Sequence, residues 1–348
     1  MHISEFDFLL PKELIASRPV KPRSSSRLLY AKNNYLRDLQ FLDLPKLLVP
    51  GDLLVFNNTR VIPALILGSL VVQGKSKEHW REIEFLLVER LSLDSWLCLC
   101  KSSRKISIKT QFIFSKELSG KVLNRTSDGV IIKFQYSGDF FNLLKQCGQM
   151  PLPPYIRKLR AVDGQDAYDY QPIFSSEMGS IASPTASLHF DHELIRTLFK
   201  NGVKSCFVTL HVGLGTFTPV RVENIHNHRM HEEIGEINME SAQIINRTIA
   251  SGQRVIAVGT TSLRILESVA RDNGKITSFK GGTDIYITPG FVFKVTSALI
   301  TNFHLPKSSL FILIASFIGL KEAKKLYAHA INKKYRFYSY GDASLLMP

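Results

Sequence analysis

The sequence predicts an α/β domain, residues 1–66 and 151–348, interrupted by a small all-β domain at residues 67–150. Three observations carry this. Helix-like and strand-like runs alternate after residue 151, the signature of α/β packing. Short apolar runs separated by turn residues fill the middle block. Pro151, Pro153 and Pro154 stiffen the exit from that block, as at a fixed junction. A chain of 348 residues with 45% hydrophobic and 21% charged residues fits one large domain or two ordinary ones. The same composition excludes a disordered or collagen-like chain.

The elements follow in chain order. The first segment is a basic, helix-poor arm, interrupted by Pro11, Pro19 and Pro22 and carrying Lys12, Arg18, Lys21, Arg23 and Arg27. Residues 53–56, Leu-Leu-Val-Phe, form a buried strand that ends at Asn57-Asn58-Thr59-Arg60. Open α/β sheets place their ligands beyond such strand ends. In the insert, strands are expected at 83–88, 96–99, 106–108, 111–114 and 130–134, with turns such as Ser119-Gly120 and Ser127-Asp128-Gly129. That spacing fits a barrel or a sandwich. Beyond the insert, helices are expected over 191–200, 239–250, 262–270 and 308–318, the last buried nearly all round. Strands are expected over 207–210, 255–258, 284–287 and 291–295.

Lys and Arg number 44 against 30 Asp and Glu, a formal charge of +14 with a pI near 9.6. Such a surplus favours a polyanionic partner such as nucleic acid, although a merely basic enzyme has the same look. Four cysteines without a CxxC pair exclude a disulfide scaffold and argue against a zinc finger. The N-terminus is unlike a signal peptide. The longest apolar run, 308–320, falls short of the roughly 20 residues a membrane span needs. A reduced, cytoplasmic protein is the expectation.

Several stretches could carry chemistry. Residues 169–190 are rich in small residues, hold internal prolines at Pro172 and Pro184 and end in His189-Phe190. They are either a ligand-facing loop or a long loop packed across the core. Residues 209–219 run a strand into Gly213-Leu214-Gly215-Thr216, half of a dinucleotide fingerprint. Pro219 follows and no helix opens, so the dinucleotide reading fails and a tight turn near a ligand survives. His226, His228 and His231 stand beside Glu232 and Glu233, with His211 upstream. Metal binding, acid–base work, nucleobase contact and a solvated face all remain open for them. In 254–264, strand, turn and helix succeed one another, and Thr260, Thr261 or Ser262 can cap the helix. Its free N–H groups would suit a carboxylate or phosphate. Residues 301–308 and 335–342 close the set; the second interleaves aromatics with cations, which suits either RNA loops or a docked C-terminus.

Together these segments resemble the S-adenosylmethionine:tRNA ribosyltransferase-isomerase family of queuosine synthesis. The similar runs are GDLLVFNNTRVIP at 51–63, PLPPYI at 151–156, PTASLHF at 184–190, TLHVGLGTF at 209–217, HRMH at 228–231, VIAVGTTSLR at 255–264, TNFHLPKS at 301–308 and YRFYSYGD at 335–342. The chain departs from the family's usual alanine at Ser183 and glycine at Ser187. It also reads VVQGKSKEHW at 71–80, with Lys75, where the family has a glycine-rich turn.

The resemblance implies a larger mixed α/β domain interrupted by a β-barrel. It implies transfer of the ribosyl part of S-adenosylmethionine to the aminomethyl group of a 7-deazaguanine at the tRNA wobble position, giving epoxyqueuosine, adenine and methionine. The partners implied are tRNAs with GUN anticodons, those for Asp, Asn, His and Tyr. No metal and no cofactor are implied, since S-adenosylmethionine is consumed; a monomer is expected. Imidazole can serve as base or acid near neutral pH, so His189, His211, His228 and His231 are the catalytic candidates, with Glu233 as alternative base. Asn58, Thr59 and Arg60 would orient substrate, and Thr260, Thr261 and Ser262 would hold the methionine carboxylate. Thr185, Gly213, Gly215, Thr216, Arg264, Asn302 and His304 complete the substrate set. Arg18, Lys21, Arg23, Arg27, Lys333, Lys334, Arg336 and Tyr338 would meet the tRNA. The rivals are a non-catalytic RNA-binding module, a metal-dependent hydrolase built on His211, His226, His228 and His231, and a methyltransferase.

Overall fold

A computed structural model describes residues 1–71, 81–100, 106–126, 129–213 and 220–348. Among these residues nine strands form one mixed sheet. Its middle holds four parallel neighbours: Lys204–Leu210, Leu53–Asn57, Val255–Val258 and Ala298–Asn302. Glu233–Ile237 and then Phe279–Thr283 add antiparallel strands beyond Lys204–Leu210. On the other side Ala343–Met347 runs antiparallel to Ala298–Asn302, and the hairpin Arg27–Lys32 and Tyr35–Gln40 follows.

The sequence of the middle strands explains their place. Leu53 and Val55 enter the core on one face of the sheet, while Leu54 and Phe56 enter the core on the other. A strand buried on both faces reads as a continuous apolar run, as the parallel strands here do. Helices Met239–Ala250, Thr260–Val269, Ser309–Ile318 and Leu320–Asn332 cover the first face; His192–Lys200 covers the second.

Strand direction fixes where function can lie. The four parallel strands all end at one edge of the sheet, at Asn57, Leu210, Val258 and Asn302. Ala343–Met347 runs the opposite way, so its start at Asp342 reaches the same edge. Arg27–Lys32 is parallel to it, which brings Ser26 there as well.

The second sheet draws on residues 65–149. Leu65–Leu70, Glu82–Arg90, Ser95–Leu99, Val130–Tyr136, Leu118–Arg125 and Gln111–Ile113 pair in that order, all antiparallel. The last strand pairs back to the first through Ser69 with Ile113 and Leu70 with Phe112, which closes a six-stranded barrel. Phe85, Trp96, Phe112, Ile132 and Phe134 fill it.

Several sequence expectations give way. Ser119-Gly120 is no turn but part of the strand Leu118–Arg125. Gly120 faces inward, where a Cβ would come within 2.7 Å of Ile132 Cγ2. Here glycine signals crowding, not a bend. Residues 106–108 form no strand: Ile106 is buried, Ile108 is exposed, and Lys109 sits in a turn at φ 71°. Of the other expected turn, Ser127 and Asp128 lie outside the described residues. Residues 284–287 and 291–295 are also not strands. Their alternating apolar side chains, Ile287 and Val295 among them, do pack on the core. Side chains of the helix Thr260–Val269 take the place of a partner strand. Glu267 accepts the N–H groups of Lys294, Val295 and Thr296 at 2.8–3.2 Å.

Candidate active site

A cavity of about 640 Å³, counting its open mouth, lies at the shared edge of the parallel strands. Residues 183–186, 259–261, 301–305 and 338–339 line it, with Tyr155, Val212, Ser308 and Leu310. Each stretch follows a strand end or runs alongside one, as expected for an open α/β sheet. Among the described residues the lining contains hydroxyls, an amide, aromatic rings and one imidazole, and no Asp, Glu, Lys or Arg.

Gly259 turns the strand Val255–Val258 into the helix Thr260–Val269. It is the N-cap, at φ 94°, a conformation that disfavours any side chain. This corrects the expectation that Thr260, Thr261 or Ser262 would cap. No side chain satisfies the first N–H groups of this helix. Thr260 and Thr261 face the cavity. Ser262 does not: its hydroxyl donates to Val258 O at 2.9 Å, so it is spent within the helix.

Three buried polar atoms of the lining have no partner among the described residues: Ser183 Oγ, Thr261 Oγ1 and Asn302 Oδ1. Buried polar groups are normally hydrogen-bonded, so these three are points at which a ligand can bond. Ser183, one of the departures from the family pattern, is among them; Ser187 Oγ is also unpartnered but does not line the cavity. Thr185, Thr260, Thr261, Asn302 and His304 are the sequence candidates that the structure brings together here. His304 Nε2 meets Thr301 Oγ1 at 2.9 Å, and burial pushes its imidazole down to about 3.

His189 lies behind the wall. Its Nδ1 meets Ser26 Oγ at 2.7 Å, its Nε2 meets Asn302 Nδ2 at 3.2 Å, and its ring stacks on Phe41. Burial pushes it down to about 4, so it is neutral at pH 7. With both ring nitrogens engaged it has no lone pair for a reacting proton, which corrects its place among the catalytic candidates. His211 is different. It immediately precedes Val212 of the wall, and Thr59 Oγ1 holds its Nδ1 at 2.8 Å. Its Nε2 makes no hydrogen bond among the described residues. Burial lowers its pKa, while Glu177 and Glu236 oppose the shift. Gly179 permits this packing: a Cβ there would lie 3.2 Å from the ring.

The remaining candidates fall elsewhere. Asn58 accepts from Thr209 Oγ1 at 2.8 Å and donates to Ser176, and its side chain does not line the cavity. Arg60 is exposed on the short strand Thr59–Val61. Glu233 is buried against Arg264, and its other oxygen accepts Gly213 N–H at 3.0 Å. Neither side chain lines the cavity, and the two form a buried ion pair. His226 and His231 are exposed, and His228 packs edge-on against Tyr286. Among the described residues no three His, Cys, Asp or Glu side chains converge as a metal site. Gly215 and Thr216, like Lys75 and residues 72–80, lie outside the described residues.

Most of the expected tRNA-binding arginines are already occupied. Arg18 pairs with Asp163 and Asp166, Arg27 with Asp38, and Arg336 with Asp342. Arg23 donates to the carbonyls of Tyr168 and Gln171. Tyr338 is a cavity wall residue, 7% exposed, not a surface aromatic. Only Lys21, Lys333 and Lys334 of that set are fully exposed. Sequence reasoning missed Tyr155 and Ser339 as lining residues; both sit in runs already singled out, PLPPYI and YRFYSYGD.

Comparison with known proteins now bears on this geometry. A family model described as "Queuosine biosynthesis protein" matches residues 3–346. The chain belongs to the queuosine biosynthesis family. The S-adenosylmethionine:tRNA ribosyltransferase-isomerase of Dinoroseobacter shibae is 48% identical, covering 100% of this chain and 99% of its own. That of Ruegeria pomeroyi is 48% identical over 100% of both chains. The crystal structure of an S-adenosylmethionine tRNA ribosyltransferase from Thermotoga maritima matches with a TM-score of 0.56 at 35% identity, covering 99% of this chain and 100% of that one. The queuosine-family fold is thus the mixed α/β sheet and closed barrel described above. Among the described residues no helix is long and apolar enough to cross a membrane.

Proposed function

We propose that the chain transfers and isomerises the ribosyl part of S-adenosylmethionine onto 7-aminomethyl-7-deazaguanine at the wobble position of GUN-anticodon tRNAs. The products are epoxyqueuosine-tRNA, adenine and methionine. The α/β part, 1–66 and 151–348, carries the reaction, and the barrel at 67–150 is an inserted unit. The protein works in the cytoplasm as a monomer, without a metal or cofactor. The observation that carries the reading is the cavity with three unpartnered buried polar atoms, in a chain matched end to end by ribosyltransferase-isomerases.

The chemistry asks for an acidified proton, a base and a shielded cation. The sulfonium acidifies the C5′ hydrogens of the donor. A cavity without carboxylates leaves that charge unneutralised, while Tyr155, Tyr338 and Phe303 can face it with their rings. His211, neutral at pH 7 and held by Thr59, is the base, and its Nε2 takes the proton. The sugar then rearranges and adenine leaves. The amine of the modified base captures the sugar, and epoxide closure expels methionine. The free N–H groups at the start of the helix Thr260–Val269 hold the methionine carboxylate, with Thr260 and Thr261 beside them.

Mixing the protein with S-adenosylmethionine and an anticodon stem-loop bearing the modified base tests this. Stoichiometric adenine and methionine are expected. S-adenosylhomocysteine instead would identify a methyltransferase, binding without turnover an RNA-binding module, and turnover abolished by a chelator a metal enzyme. His211→Ala should lose turnover by 10²-fold or more, in the range of general base catalysis.

A further inference from the structure

Asn302 ends the strand Ala298–Asn302, next to the start of the helix Thr260–Val269. Val258 and Ile300 are register partners on adjacent strands; two residues further on, Asn302 ends its strand while Thr260 has already opened the helix, and both line the cavity.

The orientation of the Asn302 amide is dictated by what surrounds it. Its Nδ2 donates to Tyr338 O at 3.1 Å. A carbonyl can only accept, so the NH₂ group must face it. The same Nδ2 reaches His189 Nε2 at 3.2 Å, so that ring nitrogen is the acceptor and the proton sits on Nδ1, donating to Ser26 Oγ at 2.7 Å. Phe41 stacks on the ring at 4.9 Å between centroids and fixes its plane. With both amide hydrogens turned inward, Oδ1 is left in the cavity wall, 2% exposed as a residue and without a partner.

We propose that Asn302 Oδ1 accepts a hydrogen bond from the α-ammonium of the methionine part of S-adenosylmethionine, and that His189 is the positioning residue that keeps this oxygen facing the cavity. The inference rests on the donor occupying this cavity, as proposed above. Donor N–H groups at the helix start and an acceptor at Asn302 together make a matched pair for a carboxylate and an ammonium on one carbon. The neutral lining supplies no carboxylate for that ammonium, so the amide oxygen is its partner.

Calorimetric binding of S-adenosylmethionine and of its analogue lacking the α-amino group, to wild type, Asn302→Leu, His189→Leu and His189→Gln, tests this. Wild type should bind the analogue about tenfold more weakly or worse, the worth of a charge-assisted hydrogen bond. In Asn302→Leu the two ligands should bind alike, because the acceptor is gone; in His189→Leu, where Tyr338 O alone holds the amide, discrimination should shrink but keep its sign. His189→Gln should recover discrimination, since its amide oxygen can take the Asn302 N–H. The wild-type comparison stands even if a variant fails to fold. Equal affinity of wild type for both ligands, or discrimination unchanged in Asn302→Leu, overturns the inference while leaving the donor in its cavity. Failure of wild type to bind S-adenosylmethionine at all overturns both.

Discussion

The cavity and the junction at residues 160–171 are both rich in polar groups, and they settle them in opposite ways. At the junction Asp166, fully buried, takes Arg18 at 2.9 Å, both terminal nitrogens of Arg160, and the N–H of Asp163. Arg23 satisfies the carbonyls of Tyr168 and Gln171. The chain completes these charged groups and carbonyls itself, and of this stretch only the Tyr170 hydroxyl is left without a partner among the described residues. In the cavity, uncharged groups dominate, and Ser183, Thr261 and Asn302 each keep a buried atom without a partner. The contrast teaches that charge density is a poor marker of function here. Charges inside this fold belong to its structure, and the cavity is set apart by a neutral, hydroxyl-rich lining.

The sharpest way to break that comparison is Asp166→Ala. It takes from Arg160 its carboxylate partner and leaves Arg18 with only Asp163 and Asp169. The expected loss is about 3–5 kcal/mol of unfolding free energy, read in urea. A loss under about 1 kcal/mol would show that the junction charges are dispensable decoration.

His189 stands between the two regions and gives a pH test. Its pKa falls to about 4 in the folded protein against an ordinary value near 6.5. Above pH 6.5 it is neutral in both states and its contribution is fully present. As pH falls toward 4 the unfolded state takes up the proton first, so stability drops by about 3 kcal/mol across that window. His304, lowered to about 3, adds to the same acid loss. Thermal unfolding from pH 7 to 4 should therefore steepen in wild type and flatten in His189→Gln. Parallel curves would mean that the imidazole is protonated where it sits.

Much of the fold was legible because its signals are local. The strand Val255–Val258 and the helix Met239–Ala250 lie where their apolar patterns put them, and the barrel's texture differs visibly from its surroundings. What misled was pattern without partner. Residues 284–287 and 291–295 alternate like strands yet pair with no ladder; Glu267 takes the N–H groups of Lys294, Val295 and Thr296 instead. Gly120 looks like a turn and is a packing gap. The candidate site divided the same way. Thr261, Asn302 and His304 were accessible from their position after strands, but the engagement of His189 and Glu233 depends on Ser26, Asn302, Arg264 and Gly213, all distant in sequence. No spacing rule reports such long-range pairing. The arginines misled for one reason: their partners, Asp163, Asp166, Asp38 and Asp342, are also remote or unremarkable in the sequence.

Within the cavity the comparison predicts binding effects without stability effects. Thr261→Ala removes a hydroxyl that bonds nothing among the described residues, so unfolding free energy should move by no more than about 0.5 kcal/mol. The KM for S-adenosylmethionine should rise several-fold, by roughly the worth of one neutral hydrogen bond. Ser183→Ala, which restores the family's usual residue, should behave likewise but more weakly. A destabilised Thr261→Ala with unchanged KM would place the hydroxyl in the fold's own structure.

The smallest effects belong to the exposed lysines. Lys21, Lys333 and Lys334 make no ion pair among the described residues, so replacing one with alanine should leave thermal unfolding unchanged. If such a lysine contacts a phosphate, its removal should lower the slope of log K against log salt for tRNA binding by about 1. Arg336→Ala should do the reverse, since Asp342, 2% exposed at its side chain, loses its cation. Stability should fall there, and the salt slope should barely move. A lysine variant that melts early, or an Arg336 variant that only loses tRNA, would erase the distinction between cations that build this protein and cations that meet its partner.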